Sequence, residues 1–133
     1  MPRFKAPYSS ATLALTAALM LLAAPAQAKG SKADTLVPDG PPVDCLRLHQ
    51  IRDTQIRDDQ TIDFEVGMHK VYRNTLPHSC PGLAAAGKYL HETSTGDICS
   101  VDMIKILYSY GLGLSQGPSC GLGKFQPMKP ADK

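Results

Sequence analysis

The chain reads as a small all-β domain, a barrel or sandwich of five to six short strands with room for one short helix, stapled by disulfides. Three observations predict this. The run Thr61-Ile62-Asp63-Phe64-Glu65-Val66 alternates polar and apolar residues without a fault, the period of a strand with one dry face and one wet face. Short stretches of this kind recur between Gly-, Pro- and Asp-rich reversals. Four cysteines accompany a core-poor composition, with no Trp and three Phe. A domain of this size buries only about 60% of its unfolded surface, so it needs covalent staples.

The start of the chain predicts export. Arg3 and Lys5 precede the apolar run ATLALTAALMLLAA at 11–24, and Ala26-Gln27-Ala28 supplies the small-x-small pattern of a signal-peptidase site. The run is shorter than the ~20 residues needed to cross a bilayer. Residues 1–28 are therefore expected to be a cleaved signal peptide, leaving no stable membrane anchor. Without Arg3 and Lys5, two of 14 basic residues, the remainder balances the 12 acidic residues. Arg47, Arg52, Arg57 and Arg73 are interleaved with Asp53, Asp58, Asp59 and Asp63. That pattern is a mixed, solvated surface and gives no phosphate track for nucleic acid. The expected location is periplasmic or secreted.

Residues 29–44 are polar and rich in Pro and Gly, with neither hydrophobic period, and are expected to form a flexible leader. A single β-rich domain is expected over 45–127. Leu46 and Leu48 alternate with Arg47 and His49 as a first strand. The phase then slips, which calls for a bulge or bend near Arg52-Asp53-Thr54. Asp58-Asp59 turns the chain into the strand at 61–66, and Gly67 turns it out again. In the next strand, 69–76, Val71 faces one way and Tyr72, Asn74 and Leu76 the other, and Pro77 ends it. Residues 80–83 form a tight turn, 84–87 at most one helical turn, and 88–93 another strand. For 98–110 a helix and a strand compete. The period-two placement of Ile104, Ile106 and Tyr108 favours a turn over 97–102 followed by a strand. The glycine-rich 111–118 is expected to be a flexible loop, 120–125 a last strand, and 128–133 a disordered tail.

The phrases IRDTQIRDDQTIDF, YRNTLPHSCPGL, ICSVD and CGLGKFQP together resemble a family of small exported bacterial proteins classed as a domain of unknown function. The resemblance covers nearly all of 45–127. It implies export and one compact domain, and it lends no activity.

No cysteine pair has the C-x-x-C spacing of a redox motif or zinc ribbon. Four cysteines in an oxidising compartment form two structural bridges in one of three connectivities. The expected one is Cys45–Cys120, tying first strand to last, with Cys80–Cys99. His49, His69, His78 and His91 match no closed metal spacing. No metal or other cofactor is expected. Asp53, Asp58, Asp59, Asp63 and Asp102 sit where turns and strand faces want them, with no calcium-loop pattern, and no serine stands in a G-x-S-x-G elbow.

What remains is a strand face. Arg57, Tyr72, Asn74 and Tyr108, with Tyr89 and Tyr110 elsewhere, are candidate binding residues, because Tyr and Arg anchor interfaces. The competing reading has the tyrosines capping barrel ends, ring buried and hydroxyl wet. The functional expectation is a non-enzymatic binding or interaction module of the cell envelope, its partner an envelope protein or small ligand. The alternatives are a small hydrolase or inhibitor-like protein using Asp59, Asp102 or a histidine, and a metal-handling protein using His69, His78 and His91.

Overall fold

The computed structural model describes residues 35–131. In chain order the strands are β1 Leu36–Pro38, β2 Cys45–Arg47, β3 Ile51–Ile56, β4 Thr61–Val66 and β5 Lys70–Thr75. One helical turn, α1 Leu83–Ala86, follows. Then come β6 Tyr89–His91, β7 Asp97–Cys99, β8 Met103–Tyr110, β9 Gly113–Gly121 and β10 Phe125–Pro130. The strands make three antiparallel sheets: β1-β10-β5-β4-β3, the ribbon β2-β7, and β6-β8-β9.

The alternation at 61–66 does what its period dictates. Ile62 and Phe64 are fully buried and Val66 nearly so, while Glu65 is exposed. Phe64 meets Phe125 of β10 edge-to-face, with ring centroids 5.3 Å apart, a favoured aromatic geometry. Around this pair one apolar cluster draws on every sheet: Leu46, Ile98, Ile104, Ile106, Leu83 and Leu122 all pack into it. The phase slip after Leu48 is also real. A 3-10 turn at Leu48–Gln50 breaks the first strand, and the β3–β4 register shifts between Ile51 and Asp53. The competition over 98–110 resolves in favour of a strand, β8, but the turn expected over 97–102 shrinks to 100–102, because Asp97–Cys99 pairs with β2 as the strand β7.

Several expectations are corrected. The sheets do not close into a barrel, and the described residues form ten strands where five to six were expected. The bridges are Cys45–Cys99 and Cys80–Cys120, not Cys45–Cys120 and Cys80–Cys99. The reason is pairing: β2 lies against β7, with Cys45 directly opposite Cys99, while β9, which carries Cys120, pairs with β8. The glycine-rich 111–118 is mostly strand. β9 folds back on β8 through the two-residue reversal Gly111-Leu112, with Gly111 at φ +57°, a conformation that costs glycine little.

Strand formation at 120–125 is confined to its ends, since residues 122–124 are irregular. Both supposed flexible ends join the main sheet. In the leader, Leu36–Pro38 pairs with Met128–Pro130 of the supposed tail, and Val43 bridges to Phe125. The folded part thus begins before residue 45 and runs past 127. The proposed signal peptide and its cleavage site at 1–28 lie outside the described residues. Among those described, no helix is long and apolar enough to cross a membrane.

Candidate functional site: a basic cleft at the end of the main sheet

On the core-facing side of the main sheet, β4 contributes Ile62, Phe64 and Val66, and β5 contributes Asn74, Tyr72 and Lys70 opposite them. Toward Val66 and Lys70 this side is left open as a cleft of about 670 Å³, lined by His49, Gln50, Arg52, Val66, Gly67, Met68, His69, Lys70 and Tyr72. Three local features build it. The 3-10 turn supplies His49 and Gln50. The β3 irregularity inserts Arg52 between the paired residues Ile51 and Asp53, and such bulges re-aim side chains. The three-residue β4–β5 loop supplies Gly67, Met68 and His69. The Gly67 amide donates to the Gln50 carbonyl at 2.9 Å, fixing the loop against the turn. Gly67 has φ +61°, so a side chain there would strain the loop.

The lining is basic on its rim and apolar beneath. Arg52, Lys70, His49 and His69 are exposed, Tyr72 is half-buried and Val66 is buried. No aspartate or glutamate lines the cleft.

A second polar cluster lies under the β6-β8-β9 sheet. His91 Nε2 is 3.1 Å from Asp102 Oδ2, which also accepts the Cys99 amide at 2.7 Å. The His91 side chain is 6% exposed, and its Nδ1 is buried without a hydrogen-bond partner among the protein atoms. The pair holds the turn before β8 against β6.

The predicted binding residues do not converge. Tyr72 lies in the cleft. Arg57 lies on the opposite face of the main sheet, its Nε 2.6 Å from Asp63 Oδ2. Asn74 is fully buried, donating to the Gly123 carbonyl and accepting the Gly123 amide at 2.6 and 2.9 Å. Tyr108 packs over Gly117 in the other sheet, where a Cβ at Gly117 would come within 2.5 Å of its ring. It stands 6.0 Å from Tyr110, centroid to centroid, beside a smaller hollow with Ala85, Ala86 and Lys88.

The acidic candidates have local duties. Asp59 Oδ1 accepts the Ala84 amide at 2.8 Å, capping a helix whose own N-cap, Gly82, has no side chain. Asp58 accepts the Gln60 amide within its turn, and Asp53 the Thr54 amide. All four cysteines are bridged. His69, His78 and His91 fall in a hairpin loop, an exposed segment after β5 and the half-buried strand β6, respectively. Among the described residues no three His, Cys, Asp or Glu side chains form a metal-sized group.

Sequence reasoning missed His49, Arg52, His69 and Lys70 as one site. The signal was the phase slip itself, which marks a bulge and thereby a re-aimed Arg52. No family model, curated protein or solved structure matches the chain.

Proposed function

We propose that the protein is a non-enzymatic binding module, and that the cleft between the 3-10 turn and the β4–β5 loop is its binding site. The observation that carries this reading is convergence. Side chains from three separate segments meet around one concavity, above the half-buried ring of Tyr72. Concave sites with an apolar base and a few placed polar groups are where small ligands bind. The two bridges support an exported setting, since disulfides persist in oxidising compartments. The resemblance to small exported bacterial proteins points the same way, so the partner is sought in the cell envelope.

The test is a ¹⁵N chemical-shift map of the oxidised protein against envelope extract fractions and a small-molecule library. Perturbed amides clustering at 49–52 and 66–72 are the expected result. Perturbations confined to the Tyr108–Tyr110 hollow, or none at all, would sink the assignment.

A further inference from the structure

The chemistry of the cleft narrows its ligand, an inference that rests on the binding reading above. The geometry points to an amphipathic anion: a molecule with a carboxylate or phosphate head on an apolar body.

The rim argues for the head. Arg57 and Arg73 meet Asp63, Lys105 meets Glu92, Lys124 meets Asp44 and Lys129 meets Asp39. Lys88 donates to Ser109. Among the described residues three lysines or arginines, Arg47, Arg52 and Lys70, have neither an ion pair nor a side-chain hydrogen bond, and the last two line this cleft. Arg52 can present a planar fork of donors to a carboxylate or phosphate, and Lys70 a point charge. His49 and His69 add ring nitrogens to the same rim. With no carboxylate in the lining to compete, the cations face a ligand without an internal partner.

The base argues for the body. Val66 and the Tyr72 ring give the cleft an apolar side, and Met68, 78% exposed, stands at its mouth. An exposed, flexible thioether adapts to varied apolar surfaces. An inorganic anion would leave this surface wet, and a neutral apolar ligand would desolvate the rim cations without a counter-charge.

The test is isothermal titration of the oxidised protein, and of an Arg52→Gln/Lys70→Gln variant, with four probes below their micellar concentrations. The probes are octanoate, octyl phosphate, octyl glucoside and inorganic phosphate. Octanoate and octyl phosphate should each bind the wild type at least about tenfold more tightly than the other two. The double variant should lose about tenfold for both, since a charge-assisted contact is worth at least that factor. The tighter of the two anions names the head group. Both substitutions are at exposed positions, and an unchanged melting temperature confirms that the variant folds.

Octyl glucoside binding as tightly as the anions, or a double variant binding them unchanged, would overturn the anionic assignment. Inorganic phosphate binding as tightly as octyl phosphate would overturn the apolar body. In these cases binding mapped to the cleft still leaves it a binding site. If none of the probes, and nothing in the library, shifts the amides at 49–52 and 66–72, both readings fall.

Discussion

Asp63 illustrates how a strand position can carry more than its period announces. Alternation puts it on the wet face of β4 with Thr61 and Glu65, yet it is only 3% exposed. Arg57 reaches it from the end of β3 and Arg73 from the opposite position on β5, with Nε contacts of 2.6 and 2.7 Å and an Arg73 Nη2 contact of 2.9 Å. The two guanidiniums cover the carboxylate they bind. Removing the anion leaves two cations sharing one place, so Asp63→Ala should lower unfolding free energy by roughly 3 kcal/mol. Urea denaturation measures it, and a loss below 1 kcal/mol would show the cluster to be solvated surface. Asn74 is the second such residue. Its amide closes both hydrogen bonds on Gly123, and Asn74→Ala leaves a buried N–H and C=O unpaired, at about 2 kcal/mol. Gly123 has no room to compensate, since a Cβ there would lie 2.2 Å from the Thr75 carbonyl oxygen. A Gly123→Ala protein should therefore be destabilised more than Asn74→Ala in the same denaturation series.

At the scale of the element, legibility follows from whether a segment's own pattern decides its state. β4 is bounded as its alternation says, and the break after Leu48 and the one-turn α1 could be read from phase and composition. β9 could not. Its glycines and Pro118 suggest a loop, but its amides and carbonyls are taken by β8, and Gly117 is needed because the Tyr108 ring occupies the space a side chain would fill. Local propensity gave way to tertiary pairing. Cysteine connectivity failed for the related reason that it depends on which strands neighbour one another, and a closed barrel was the wrong assumption. The cleft was half legible: Tyr72 stood out as an aromatic on a strand face. The partners that complete it come from a bulge, a 3-10 turn and a hairpin loop, whose side-chain directions no period encodes. The observed bridges make a direct prediction. Peptide mapping under non-reducing conditions should recover Cys45 linked to Cys99 and Cys80 linked to Cys120. Separations of 54 and 40 residues correspond to about 4 kcal/mol each in the chain-entropy account. A Cys80→Ser/Cys120→Ser protein should lose stability on that order. Recovery of a Cys45–Cys120 peptide would overturn the strand order at β2 and β7.

For the whole molecule, the seam between sheets matters more than any one sheet. β3 is an edge of the main sheet and β6 an edge of the β6-β8-β9 sheet, and no strand ladder joins the two. Tyr89 of β6 and Thr54 of β3 line one hollow between these edges, together with Ile56, Gly87 and Lys88. Burial pushes the Tyr89 hydroxyl above its usual value of 10.0. The consequence for stability has a definite sign. A phenol whose folded value is raised favours the native state fully while pH stays below about 10. Above that the unfolded chain sheds its proton first, and the contribution is lost as pH rises through the folded value. Tyr89→Phe removes the titrating group. The stability difference between wild type and Tyr89→Phe should therefore be constant from neutral pH to about 10 and shift against the wild type beyond it. Paired denaturation curves across that range, recorded quickly enough to spare the disulfides, read the effect. A difference that stays flat into the alkaline range would mean that water already reaches the Tyr89 hydroxyl. The seam between β3 and β6 would then be a solvated gap and not a closed contact of the core.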